Sequence, residues 1–86
     1  MNVSQVNRQL VELLKKWDPF RVGPEGYDTE IADVVQAVHD NDKANILAGE
    51  IQAIYEFSFE EWIPMQECHV IAEKMLQIKN LASCSY

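Results

Sequence analysis

Two side chains near the end of the chain have the spacing of a metal-ligand pair. His69 and Glu73 are four residues apart and therefore share one face of a helix. Imidazole and carboxylate groups both bind zinc, but a site needs at least one further protein ligand. The pair by itself predicts no metal and no cofactor. The alternative is a small metal-dependent helical enzyme in which carboxylates of the third helix complete the site.

The remaining reactive side chains have simpler interpretations. Cys68 and Cys84 are interpreted as a buried thiol in the last helix and a free thiol near the chain end, since cytosolic cysteines are rarely paired. A zinc site built on these two cysteines would need His39 and His69 as its other two ligands. We expect His39 instead to act as a cation or cap at the end of a helix.

No catalytic motif is present. The sequence contains no G-x-S-x-G, P-loop, H-E-x-x-H or C-x-x-C pattern, and no D-S-L attachment site of carrier-protein type. No carboxylate stands inside an apolar stripe, where burial would shift its pKa. Without a nucleophile and an adjacent base, the sequence predicts that the protein is not an enzyme.

The charge of the chain is −7 and unevenly distributed. Residues 22–73 contain twelve carboxylates and one cation, Lys43, whereas both flanking segments are weakly positive. Such an acidic block repels phosphate backbones, so nucleic-acid binding is not expected. It would attract a basic protein partner, although acidity also serves solubility alone.

The elements that position these residues are helices. Eighty-six residues suit one domain, 1–86, and apolar residues recur at spacings of three and four. We predict a single small all-α domain of about four helices in an irregular or orthogonal bundle, with residues 82–86 frayed. The predicted helices span about 3–16, 28–40, 42–57 and 64–81.

The second and third helices have apolar patterns that differ from a single helical stripe. The second is rich in β-branched residues, which favours a strand, but its polar residues do not alternate with a period of two. The third has a second apolar stripe, Ile46, Ala53 and Phe57, which predicts a central helix covered from more than one side. Gly49 in this helix predicts the close approach of another helix.

The third and fourth helices are joined through a local helix-start pattern. Ser58 and Glu61 have the spacing of a capping box, which predicts a new helical turn through Trp62. Pro64 then either bends the chain or begins the last helix.

The least helical segment is the loop from Trp17 to Asp28, which contains two prolines and two glycines. Pro19 ends the first helix, Asp18 is expected to accept nearby backbone N–H groups, and Asp28 is the predicted N-cap of the second helix. Gly23 and Gly26 are expected at positive φ. The loop is either a structural cover or a recognition surface.

The recognition hypothesis names a set of side chains at the rim of the loop and the acidic start of the second helix. They are Arg21, Glu25, Tyr27, Glu30 and Asp33.

Neither a membrane span nor an export signal is predicted. No apolar run approaches about 20 residues, and the N-terminal residues lack a basic start and an apolar core. We expect a cytoplasmic protein.

The loop and the segment before the last helix together carry a family resemblance. The residues are Trp17-Asp18-Pro19-Phe20, Gly23-Pro24, Tyr27-Asp28-Thr29-Glu30, Ile31-Ala32-Asp33-Val34 and Ser58-Phe59-Glu60-Glu61-Trp62-Ile63-Pro64. Over nearly the whole chain this arrangement resembles the YugE-like family of short bacterial proteins. The resemblance implies a small all-helical fold and an unknown function, and it supplies no catalytic residues.

The loop alone is also similar to a pattern in immunity-type proteins that neutralise secreted bacterial toxins. That resemblance implies binding of a basic toxin by the acidic middle of the chain. The preferred hypothesis is a non-enzymatic cytosolic protein-interaction domain, monomeric or homodimeric. A homodimer would use apolar residues left over by a small core, namely Phe59, Trp62, Ile63 and Met65.

Overall fold

The computed structural model describes residues 3–83, which form four α-helices, one short 3-10 helix and no strand. The helices are α1 (Val3–Trp17), α2 (Asp28–Asp40), α3 (Ala44–Phe59) and α4 (Met65–Ser83), and the 3-10 helix spans Pro24–Tyr27. The prediction of a small all-α domain of four helices is confirmed. The α4 helix continues two residues beyond its predicted end, and the rest of the segment predicted to fray, 84–86, lies outside the described residues.

One apolar core joins the four helices. The described side chains of the apolar stripes on α1, α2 and α4 lie in this core or pack against its edge, which confirms the helical interpretation of the β-branched α2. Both α2 and α4 pack against all three other helices, whereas α3, the predicted central helix, packs closely against α2 and α4 alone within residues 3–83. The core residues are Val6, Leu10, Leu14, Tyr27, Ile31, Val34, Ala37, Val38, Leu47, Ala48, Ile51, Tyr55, Ile63, Cys68, Ile71, Ala72, Met75 and Leu76. Across residues 3–83, every helix is too short or too polar to cross a lipid bilayer.

The C-terminal end of α2 is closed by a lysine from α4. The ammonium group of Lys79 donates to the carbonyl oxygens of Val38 at 2.9 Å, His39 at 3.3 Å and Asn41 at 3.1 Å. It also lies 2.9 Å from a carboxylate oxygen of Asp42. His39 is in the last turn as predicted, but the cation that bonds to the carbonyl groups comes from a distant part of the chain.

The helix starts differ from the local predictions. Asp28 is the first residue of α2 rather than its N-cap, a position occupied by Tyr27 without a capping side-chain bond. The predicted capping box is wrong, because Ser58 lies within α3 and its hydroxyl donates to Glu30. The α3 helix ends at Phe59, one residue after Ser58. The next residue, Glu60, adopts a left-handed conformation and donates its N–H to the carbonyl of Glu56 at 2.8 Å. Pro64 directly precedes α4, and its carbonyl accepts from Glu67 and Cys68.

The second apolar stripe of α3 is exposed. Ile46 is 49% exposed and Phe57 is 89% exposed, and Ala53 between them is also exposed. Gly49 lies on the same side of the helix, and a Cβ atom added there would meet nothing within 4 Å. The predictions of a second buried face and of a close helix contact at Gly49 are therefore wrong. We call Ile46, Gly49, Ala53 and Phe57 the α3 outer face.

Replacing Gly49 with alanine is expected to stabilise the free protein. The added methyl group meets no atom, and alanine is favoured over glycine by about 0.5–1 kcal/mol in a helix interior. Thermal unfolding followed by circular dichroism should show a higher melting temperature. A lower melting temperature would mean that the space beside Gly49 is filled in the free protein.

Candidate functional site

The loop between α1 and α2 is organised by one carboxylate. Asp18 accepts the backbone N–H of Val22 at 3.0 Å and that of Gly23 at 3.2 Å. The hydroxyl of Tyr27 donates to the same carboxylate at 2.5 Å and accepts the N–H of Phe20 at 3.0 Å. The prediction that Asp18 accepts backbone N–H groups of the following residues is confirmed, and the loop is closed upon itself.

The backbone of this loop enters the left-handed region at three residues. Asp18 has φ 36°, Arg21 has φ 57° and Gly23 has φ 93°. Gly26 does not have positive φ, contrary to expectation. Its role is steric, because a Cβ atom there would lie 2.5 Å from a methyl group of Val22.

Asp18 and Tyr27 shift each other's pKa values in opposite directions. The hydrogen bond from the Tyr27 hydroxyl is the main cause that lowers the pKa of Asp18 below 3.8, and the backbone N–H groups act in the same direction. Burial raises the pKa of Tyr27 above 10.0, and the bond to Asp18 raises it further. Both shifts favour the observed pair, an ionised aspartate and a neutral tyrosine.

The lowered pKa of Asp18 predicts acid sensitivity of the loop. A carboxylate whose pKa is lower in the folded state contributes stability above its unfolded pKa, and this contribution is lost as the pH falls through the folded pKa. Asparagine tolerates the left-handed conformation, which makes Asp18→Asn the matched variant. We expect the variant to be less stable at neutral pH, and the difference to shrink below about pH 4.

Urea midpoints measured for both proteins from neutral to strongly acidic pH check this expectation. A stability difference that stays constant over the whole series would contradict a role for the ionised form of Asp18.

The aromatic residues of the loop close the core. Trp17 meets the ring of Tyr55 edge-on at a centroid distance of 5.4 Å. Phe20 lies 4.9 Å from Phe59, and Tyr27 lies 5.4 Å from Phe59 and 5.5 Å from Tyr55. These five rings, called the aromatic cluster below, join the loop to α3. The contacts support the interpretation of the loop as a structural cover.

Two predicted partner-binding residues lie inside the protein. Tyr27 is fully buried, and Glu30 is 8% exposed. The hydroxyl of Ser58 donates to a carboxylate oxygen of Glu30 at 2.9 Å. A partner therefore reaches neither side chain in this fold. Arg21 and Asp33 are exposed, and the side chain of Glu25 lies outside the described part of the structure.

The burial of Glu30 corrects the expectation that no carboxylate stands in an apolar stripe. Glu30 shares one face of α2 with Ile31 and Val34, a spacing that is visible in the sequence. The neighbouring hydroxyl of Tyr55 is buried and makes no hydrogen bond to any residue in 3–83. Burial is the main cause that raises the pKa of Tyr55, and nearby Tyr27 and Glu30 raise it further.

The predicted metal-ligand pair is a side-chain contact on the surface of α4. A ring nitrogen of His69 lies 2.7 Å from a carboxylate oxygen of Glu73, one turn away on α4. Within residues 3–83, no three histidine, cysteine, aspartate or glutamate side chains are arranged to hold a metal ion. The ring of His39 contacts the amide oxygen of Asn7 at 2.7 Å. In the described region these side chains make no larger site.

The thiol of Cys68 is buried, as predicted. It donates to the carbonyl of Ile63 at 3.8 Å, and burial raises the pKa of Cys68 to about 11. A neutral thiol is a poor nucleophile. The pairing state of Cys84 stays a prediction, because this residue lies outside the described residues.

The α3 outer face is an exposed apolar surface, although its sequence pattern predicted a buried one. Ala53, Glu56, Phe57 and Glu60 line one open depression on it. Trp62, in the connection that follows α3, is 63% exposed. The stripe was visible in the sequence, but its periodicity reveals an apolar face and not what covers that face.

The comparison with known proteins assigns the family. A family model described as "Domain of unknown function (DUF1871)" matches residues 9–85. The chain belongs to the DUF1871 family. It is similar to the uncharacterised protein YugE of Bacillus subtilis (strain 168), with 45% identity over 85 residues and 99% of both chains covered. This confirms the YugE-like resemblance.

A solved structure gives the same architecture. A crystal structure of a protein from Bacillus stearothermophilus matches with a TM-score of 0.89 and 46% identity, covering 92% of this chain and 98% of that one. The DUF1871 description and the uncharacterised relative indicate no class of enzyme.

Proposed function

We propose that this DUF1871 domain is a non-enzymatic protein-interaction domain that binds its partner through the α3 outer face. The observation that carries the proposal is the exposure of Phe57, at 89%, on an otherwise regular helix. Contiguous exposed apolar surface on a small domain is typical of interaction sites, and aromatic residues are enriched in their centres.

The composition of the surroundings supports the same assignment. Glu56 and Glu60 are exposed and line the depression beside Phe57, which gives an apolar centre with a charged rim. The aromatic residues of the loop, by contrast, are used in internal packing. This division of roles favours α3 over the loop as the binding surface.

The immunity-type alternative depends on the loop pattern. Trp17 and Tyr27 are required by the aromatic cluster and Asp18 by the loop backbone, so folding accounts for these shared residues. Binding of a basic toxin therefore stays a prediction, and such a toxin would be one candidate for the partner of an acidic surface.

The proposed homodimer surface is only partly available. Ile63 is buried and Phe59 is half-buried in the aromatic cluster, whereas Trp62 and Met65 are exposed. We therefore assign the apolar binding surface to the α3 outer face, with Trp62 as its exposed neighbour in sequence.

Affinity capture from native cells with three tagged proteins tests the proposal. The wild type and Arg21→Asn, an exposed loop substitution compatible with φ 57° at that residue, should retain the same partner. Phe57→Ser should deplete it several-fold while keeping stability within about 0.5 kcal/mol. Captured proteins that do not change with Phe57→Ser, in a variant that remains folded, would contradict the proposal.

A further inference from the structure

We infer that the partner segment bound by the α3 outer face is a basic amphipathic helix of another protein. The inference rests on the proposed function and adds the chemistry of the partner. Three features of α3 carry it: the length of the apolar stripe, its small residues and the charge around it.

The shape of the α3 outer face fits a helix. Its residues recur at positions 46, 49, 53 and 57, which places them on one side of α3 over about 16 Å. An amphipathic helix presents its apolar residues with the same spacing and over the same length in roughly three turns. The two helices can therefore lie along each other over the whole stripe.

The small residues allow a close approach. Ala53 stands between Ile46 and Phe57, and Gly49 has open space where a Cβ atom would be. Small residues in the middle of a helix face let a second helix backbone come near, while the large residues at both ends contact its sides. Nothing within residues 3–83 uses this space at Gly49.

The charge around the stripe selects a cationic partner. Residues 44–68 contain five glutamates and no lysine, arginine or histidine. Glu50, Glu56 and Glu60 are exposed on α3 and at its end. Lysine or arginine residues that flank the apolar stripe of a partner helix would meet these carboxylates, which increases the association rate and disfavours acidic competitors.

The same charge disfavours the other occupants of such a face. A second copy of this chain would bring two sets of glutamates together, and like charges across an interface cost binding energy. Anionic lipid and nucleic-acid surfaces are repelled for the same reason.

Model peptides of about 18 residues test the inference. One carries leucine at helical spacing with lysine elsewhere, the second replaces lysine with glutamate, and the third is a scrambled leucine–lysine sequence of the same composition. Binding is measured from the fluorescence anisotropy of labelled peptide. We expect the amphipathic lysine peptide to bind with salt-sensitive affinity, and the other two to bind at least several-fold more weakly.

Two triple variants with the same change in charge locate the site. Substitution of Glu50, Glu56 and Glu60 by glutamine should weaken binding of the lysine peptide about ten-fold. The control substitutes Glu12→Gln, Asp33→Asn and Asp40→Asn, exposed residues of α1 and α2, and should change binding little. Phe57→Ser should weaken binding at least as much as the first triple variant.

Several results would overturn the inference. Equal weakening by both triple variants would indicate diffuse charge attraction, and equal binding of the glutamate or scrambled peptide would remove the argument from charge or from helical spacing. Sedimentation that shows a dimer disrupted by Phe57→Ser would assign the face to a second copy. If no peptide binds but the cellular partner still depends on Phe57, the proposed function stands and the basic helix is wrong.

Discussion

Replacing Tyr27 with alanine is expected to reduce the free energy of unfolding by about 3–5 kcal/mol. The ring is fully buried in the aromatic cluster between Tyr55 and Phe59, and its hydroxyl bonds to both the carboxylate of Asp18 and the N–H of Phe20. The substitution has two effects: it leaves a cavity in the aromatic cluster, and it removes the hydroxyl bonds that hold the loop. The total free energy of unfolding of a small domain is about 5–15 kcal/mol, so the Tyr27→Ala protein should be close to unfolding.

Two comparison variants separate the contributions of Tyr27. Tyr27→Phe keeps the ring and removes only the hydroxyl, which should cost about 1 kcal/mol. Phe57→Ala removes an aromatic ring that is exposed on the α3 outer face and should change stability by no more than about 0.5 kcal/mol. Urea unfolding followed by circular dichroism measures all three. A Tyr27→Ala loss no larger than that of Phe57→Ala would contradict the structural role of the loop.

The second large effect is expected at Lys79. Its ammonium group donates to three carbonyl groups around the C-terminal end of α2, and its side chain is only 20% exposed. Methionine keeps most of the apolar stem and removes the charge, so those carbonyl groups lose their donor and the helix dipole loses its cation. We expect Lys79→Met to cost about 2 kcal/mol, or roughly 10 °C in melting temperature.

The matched control is Asp42→Asn. Asp42 forms the ion pair with Lys79 but is 87% exposed, and exposed ion pairs contribute about 0–1 kcal/mol. The control should therefore lose clearly less stability than Lys79→Met. Equal losses would mean that the ion pair, rather than the carbonyl bonds, holds the end of α2.

Local periodicity predicted the helices but not their contacts. The described side chains of the stripes on α1, α2 and α4 lie in the core or against it as expected, because a helix with one apolar face has to cover it. The capping box at Ser58 is absent because Phe59 packs into the aromatic cluster and α3 continues to that residue. The contact of Lys79 with α2 joins residues about forty positions apart, and no local pattern encodes it.

In the candidate site too, the sequence shows local properties but not the contacts between elements. The acidic character of the middle of the chain is a property of the sequence, whereas the burial of Tyr27 and Glu30 depends on how the loop and α3 meet. Ile46, Ala53 and Phe57 form a stripe in the sequence, but only the arrangement of the four helices reveals that nothing in residues 3–83 covers it. The proposed binding surface therefore moves from the loop to α3.

Site-specific photo-crosslinking in native cells tests this assignment most directly. A photoreactive residue is placed at position 57 on the α3 outer face or at position 21 on the loop, both of which are exposed. We expect a discrete crosslinked partner from position 57 and none from position 21. A partner crosslinked from position 21 and absent from position 57 would contradict the assignment and return the binding surface to the loop.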